Sequence, residues 1–219
     1  MLVFSLVAHE YAHGVAALRQ GDDTAYMLGR LTLNPLPHID PVMSVLMPAL
    51  LLFVSGGRFA FGGAKPVPVN PRKYRNYKRG DIIVSAAGVV TNLGLSLACA
   101  LLFVLLGFVA TLFPDLVPVV DTAQRMMMWG VWLNLILCCF NLIPIPPLDG
   151  SHLFYHLLPP ALGARYRSIQ RFGMIPLLAI MLLAPSVFNW LLGPAYYGMG
   201  LLQHLIVPYA VGNGWNIFG

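Results

Sequence analysis

The stretch IIVSAAGVVTNLGLSLACALLFVLLGFVATLF, Ile82 to Phe113, runs without a single Asp, Glu, Lys or Arg. Roughly 18 uncharged apolar residues are enough for a helix to cross the hydrocarbon of a bilayer. Two further charge-free runs follow, Met126 to Leu148 and everything after Arg171. Over all 219 residues, 58% are hydrophobic and 10% are charged, against roughly a quarter charged in average soluble domains. A single water-soluble globule is excluded on that balance, and the chain reads as a polytopic membrane protein.

Upstream of this stretch, Leu2–Leu18 forms a short apolar helix that Arg19, Gly21 and Asp22 bring to an end. Tyr26 to Asn70 is rich in Gly and Pro, with β-like pieces at Arg30–Leu33 and Pro66–Val69. Val42–Val54 is apolar but short for a span, and Asp40-Pro41 ahead of it makes an N-cap and N1 pair. It is read as a re-entrant or interfacial helix. Asp81 is expected to cap the helix over Ile82–Phe113, which stops at Pro114. Downstream, Met126–Ile143 breaks at Pro144, Pro146 and Pro147. A fourth span covers roughly Met174–Leu192, and Ala195–Val211 adds a fifth crossing or lies in the interface. The expected fold is an all-α polytopic membrane protein of about four to six transmembrane or re-entrant helices. A small β-hairpin or sheet element is expected near the membrane face. One membrane-embedded domain is expected over residues 1–219, with a core at 1–158 and accessory C-terminal helices at 159–219.

The net charge of +5 does not point to nucleic acid, because the bases sit beside apolar segments, as Arg72, Lys73, Arg75, Lys78 and Arg79 do before Ile82. That placement suits a cytoplasmic anchor near anionic membrane lipids. If Val42–Val54 dips in and returns, every Lys and Arg except Arg125 falls on one side, as the positive-inside rule expects. Cys99, Cys138 and Cys139 lie in apolar runs, without C-x-x-C spacing, and read as small core or lipid-facing residues. The N-terminus lacks the basic region and cleavage site of a removable signal peptide.

Of eight acidic residues, seven are Asp, and Glu10 is the sole glutamate, placed inside the apolar Leu2–Leu18 run. An ionisable group there is costly and points to function. It belongs to His9-Glu10-Tyr11-Ala12-His13, in which two histidines at i and i+4 share a helical face. Neutral imidazoles suit Zn²⁺, and the intervening Glu can act as general base on a water at the ion. Chance would produce this pattern about once in a thousand chains of such composition. The plain alternative is a pair of core histidines with Glu10 neutralised by burial, which the desolvation of three polar groups in a span disfavours.

A catalytic zinc takes three protein ligands and leaves one position open. Asp40 and Asp81 are accounted for as caps, Asp22 and Asp23 lie too close in sequence to fold back easily, and Asp115 and Asp121 fall in a loop away from the basic cluster. Asp149, after the proline-broken end of the third segment, remains. Its competing role is the N-cap of a helix over Gly150–Leu158. His152 and His156 repeat the i, i+4 spacing without a carboxylate between them and read as packing residues. His38 and His204 read as structural.

His9-Glu10-Tyr11-Ala12-His13 in an apolar helix, followed by Asn141, Pro144 and Leu148-Asp149-Gly150, resembles the site-2 proteases, the zinc intramembrane metalloproteases of peptidase family M50. Asn34-Pro35-Leu36-Pro37-His38-Ile39-Asp40-Pro41, Ala64-Lys65-Pro66-Val67-Pro68-Val69-Asn70-Pro71 and Ala86-Ala87-Gly88-Val89-Val90-Thr91-Asn92 are also similar to prokaryotic members. The resemblance covers most of Ala8–Leu158. It implies one Zn²⁺ per chain held by His9, His13 and Asp149, with Glu10 as the base. It further implies that Asn92 holds the substrate backbone or the oxyanion and that Asn141 engages substrate. Implied substrates are transmembrane proteins, cleaved by a multi-pass enzyme of the plasma or inner membrane whose site faces the cytoplasm. There are two departures. Eight residues precede His9 where members carry more apolar chain, and no PDZ-like insertion is present. The β-like stretches around Leu31 and Val67 could hold an extended substrate by strand addition. Two other functions are compatible with the His pair by itself: a membrane metal enzyme acting on a lipid or small molecule, and a transporter or non-proteolytic scaffold. The Asn141–Gly150 motif argues against the first, and the intact Glu10 and Asp149 against the second.

Overall fold

The computed structural model describes residues 1–54, 56–57, 62–212 and 215. The chain divides into two compact units, Leu2–Gly88 and Val89–Gly219, the latter taking in Met1.

In the first unit, α1 (Leu2–Gln20) carries the His-Glu-His motif. It ends in a glycine-based stop. Gly21 takes φ +110°, its N–H donates to Leu18 O at 3.1 Å, and Asp22 N–H donates to Ala17 O at 2.9 Å. That is the double bond of a Schellman cap, which a side chain at Gly21 would strain. The buried Asp22 carboxylate then accepts from Thr24 N–H at 3.0 Å and from Asn70 N–H at 2.6 Å. After the short α2 (Thr24–Met27), a π-helical turn over Pro41–Leu46 leads into α3 (Met47–Val54). The expected cap is present: Asp40 accepts from Val42 and Met43 N–H at 2.9 and 2.8 Å. Ala16, Ala17, Tyr74 and Val84 form the small core of this unit. Burial, reinforced by the Asp81 and Asp22 carboxylates, pushes the Tyr74 phenol well above its ordinary range.

α4 (Tyr77–Leu112) is one continuous helix of 36 residues, about 54 Å long at 1.5 Å per residue. It begins earlier than expected. Asn76 caps it, its Oδ1 accepting from Arg79 N–H at 3.0 Å, and Asp81 lies inside the helix, buried. Residues from Val89 onward belong to the second unit. There, Leu93, Leu97, Leu101, Leu105, Phe108 and Leu112 are all exposed at three- and four-residue spacing, an apolar stripe that water would not tolerate.

α5 (Val117–Leu142) ends just ahead of Pro144, followed by α6 (Asp149–Tyr155) and α7 (Pro160–Arg167). Cys99, Ala100 and Phe103 of α4 pack with Met128, Val131 and Leu135 of α5 and with Ala195, Met199 and Ile206 near the C-terminus. A buried amide ties the same layer together. Gln124 Nε2 donates to Phe103 O and Tyr209 O, both at 2.9 Å, and its Oε1 accepts from Val211 N–H at 2.8 Å. Gln124→Leu removes the side-chain partner of Tyr209 O and Val211 N–H, and the second donor to Phe103 O within α4, and is expected to cost about 1–3 kcal/mol. Unfolding in detergent against the wild type measures this.

Two expectations are corrected. The small β element is absent: the described residues contain no strand. Pro66 and Pro68 cannot donate to a ladder, and Arg30 Nη2 donates to the carbonyls of Lys65 and Pro66 at 3.1 and 3.3 Å. Around Thr32, local side chains take the backbone groups instead, Thr32 Oγ1 accepting from Asn34 N–H and Asn34 Oδ1 from Leu36 N–H.

The expectation of about four to six transmembrane or re-entrant helices is also corrected. Among the described residues two helices are long and apolar enough to cross a membrane, Tyr77–Leu112 and Pro114–Leu142. The fourth expected span divides into α8 (Ile175–Leu183) and α9 (Pro185–Leu191), because Pro185 supplies no N–H and Ala184 turns out of helical geometry at φ −136°, ψ 58°. The fifth, α10 (Gly193–Ile206), has 14 residues.

Candidate metal centre

Helical spacing brings His9 and His13 over one another on α1, and their Nε2 atoms lie 3.0 Å apart. His13 Nδ1 sits 2.7 Å from the carbonyl oxygen of Val84 on α4. A carbonyl can only accept, so this ring nitrogen carries the hydrogen and Nε2 keeps a lone pair. Such a backbone acceptor is the usual device that fixes the tautomer and orientation of a ligating imidazole. His9 is buried and His13 half-buried.

This donor set fits zinc. Tetrahedral ligands at about 2.0–2.1 Å from the ion stand about 3.3–3.4 Å apart, so the two nitrogens need to open by only a few tenths of an ångström. Room for them comes from Gly88. A Cβ built there would fall 2.5 Å from His13 Nε2 and from His9 Cε1, and 2.6 Å from His9 Nε2. Bare helix backbone is therefore what α4 presents to both rings.

Glu10, half-buried between them in sequence, accepts at Oε2 from the Val67 N–H at 2.7 Å. This contact and the Val84 carbonyl are backbone partners that residue identities do not advertise. Gly88 stood in a quoted motif, but its role emerges only from the approach of α4 to the imidazoles.

The other predicted site residues belong to the second unit. Asp149 is the first residue of α6 and half-buried, and the N-cap position ahead of it belongs to Leu148. Its neighbour Gly150 is dictated by packing, since a Cβ there would lie 2.2 Å from Leu142 O and 2.7 Å from Ile143 O. The Asp-Gly pair thus seats the start of α6 directly on the backbone that leaves α5. Asn92 is fully buried on α4. Asn141 Nδ2 donates to Leu137 O, one turn back on its own helix, at 2.9 Å. His38, expected to be structural, is buried, its Nε2 3.0 Å from Thr32 O and its own carbonyl accepting from Lys65 N–H at 2.7 Å.

The profile of Peptidase family M50 matches residues 117–184. A Bacillus subtilis (strain 168) protein that carries the name of a zinc metalloprotease, YwhC, is 37% identical over 181 residues, covering 82% of this chain and 77% of its own. Relatives named as the zinc metalloprotease Rip2 are 29% identical in Mycolicibacterium smegmatis, over 89% of this chain and 70% of theirs, and 30% identical in Mycobacterium tuberculosis H37Rv, over 88% and 69%. No solved structure matches. With a relative of this identity covered over most of its length, and with the His-Glu-His helix in place, the chain belongs to peptidase family M50, the site-2 protease family of zinc metalloproteases.

Proposed function

We propose that this metallopeptidase is an intramembrane endopeptidase that cleaves transmembrane segments of other membrane proteins. The observation that carries the reading is the facing pair of imidazole nitrogens on α1, 3.0 Å apart, with the sole glutamate of the chain between them in sequence. The exposed apolar stripe on α4 supports placement within lipid. The basic residues from Arg19 to Arg79 support a cytoplasmic orientation for the α1 end that carries the motif.

His9, His13 and Asp149 are the proposed ligands, offering one donor atom each, two imidazole nitrogens and a carboxylate oxygen. Zinc held there supplies a Lewis acid for the scissile carbonyl and makes a water acidic enough to attack near neutral pH. Glu10 takes the proton of the attacking water and returns it to the leaving amine. Asn92 is assigned the oxyanion that develops on the carbonyl, and Asn141 a looser hold on the substrate backbone. A helical substrate hides its carbonyls, so the segment to be cut has to unwind before attack.

Zinc analysis of purified wild type beside His9→Ala and Asp149→Asn, coupled to cleavage of a panel of membrane-spanning peptides, tests the assignment. About one zinc per chain is expected in the wild type, with binding weakened and cleavage lost in both variants. Full cleavage by Asp149→Asn, or wild-type activity on lipids with none on the peptides, would overturn it.

A further inference from the structure

From Lys65 to Pro71 the chain reads Lys-Pro-Val-Pro-Val-Asn-Pro. Pro66 and Pro68 have no N–H, so between Lys65 and Val69 the backbone offers one donor, the amide of Val67. That amide donates to the Glu10 carboxylate at 2.7 Å.

The segment does not depend on Glu10 for its position. Lys65 N–H is held by His38 O at 2.7 Å, and the carbonyls of Lys65 and Pro66 by Arg30. Asn70 N–H is held by the buried Asp22 carboxylate at 2.6 Å. Between these anchors the Val67 side chain is buried against Gly14, one turn along α1 from Glu10, where a Cβ would come within 3.2 Å of Val67 Cγ1. Two prolines further restrict the backbone on either side. With the donor fixed so firmly, the freedom that the bond removes is that of the glutamate side chain. Hydrogen bonds to an ionised acceptor are also stronger than neutral ones.

We infer that the backbone amide of Val67 positions the Glu10 carboxylate for proton transfer, holding one oxygen so that the other exchanges the proton. Residue 67 is on this account a positioning residue that acts through its N–H and not through its side chain. The inference rests on Glu10 being the general base.

The test replaces Val67 with α-hydroxyisovaleric acid, which turns the amide into an ester and deletes the N–H while keeping the side chain. Val67→Ala, which keeps the N–H, is the conservative comparison. Because Glu10 is the only glutamate, protein made with δ-¹³C-glutamate and a glutamate-free tag carries one labelled carboxylate, readable by isotope-edited infrared spectroscopy without substrate or turnover. The ester is expected to move its asymmetric stretch to higher frequency, whereas Val67→Ala leaves it in place. In cleavage assays the ester is expected to lower kcat about tenfold with KM and zinc content unchanged, Val67→Ala recovering most of kcat. In a Glu10→Gln background the ester is expected to cause no additional loss. Should the ester protein fail to fold, Gly14→Ala is the second variant: its methyl would crowd Leu31 Cδ1 at 2.8 Å and Val67 Cγ1 at 3.2 Å, disturbing the packing that seats the Val67 amide, and it is expected to move the band in the same direction. A band unmoved by both changes, or equal kcat losses for ester and Ala, overturns the inference. Full cleavage by Glu10→Gln would instead overturn the general-base reading beneath it, whatever the band does.

Discussion

Glu10→Gln is expected to lower kcat for a membrane-spanning peptide by about 10²–10⁴-fold, the range over which a positioned general base contributes. The substitution keeps the length and shape of the side chain and keeps an oxygen able to accept the Val67 N–H that now meets Oε2. What it removes is the capacity to take a proton. Zinc content and the unfolding midpoint in detergent should therefore match the wild type, with the loss falling on kcat more than on KM. That separation distinguishes a base from a residue that holds α1 in place, since loss of a structural residue would lower the midpoint as well. An unchanged kcat would remove Glu10 from the chemistry.

The second large effect is expected at a residue with no side chain. On helix propensity Gly88→Ala should stabilise α4, by about 1 kcal/mol in a helix interior. The structure gives the opposite outcome, because the new methyl would lie 2.5–2.6 Å from atoms of both His9 and His13. Neither ring can retreat easily: His13 is tied to Val84 O at 2.7 Å and His9 is buried. Zinc affinity is expected to fall about 100-fold, at the upper end of what loss of an orienting partner costs, while helical content by circular dichroism holds or rises. Competition with a fluorescent chelator reads the affinity directly. Undiminished zinc binding would mean that the imidazoles are not the ligands or that α4 does not press on them.

The helical juxtaposition of the candidate residues was legible from residue types. His9, Glu10 and His13 declare themselves by spacing, Asp40 by the proline after it, and the end of α5 by Pro144. The errors have physical causes of their own. Pro66–Val69 has the β-branched residues of a strand, but its prolines leave too few donors for a ladder, and that weakness was present in the sequence. Met174–Leu192 passes a test of hydrophobicity yet contains Pro185, which divides it. Asp81 was assigned to the helix start because it precedes the apolar run, although Asn76 had the better claim once the polar first turn was counted as helix. Other features had no signal at all in composition or spacing. The Val67 amide and the Val84 carbonyl are main-chain groups that every residue carries, and their importance follows from what approaches them. Gly88 and Gly150 look like ordinary small residues until the neighbouring atoms are in place.

The amide of Gln124 also carries a consequence for biogenesis. Its partners lie 21 residues before it, at Phe103, and 85 and 87 residues after it, at Tyr209 and Val211. A ribosome finishes α5 well before it has made the last two. During that interval the Gln124 amide has one of its three partners, the Phe103 carbonyl, and meets its remaining hydrogen-bonding capacity with water or with the insertion machinery that receives the nascent chain. The unit that contains α5 is therefore closed last from its C-terminal end. Chains that stop short of residue 209 keep the Phe103 partner of this amide but lack both of its later ones.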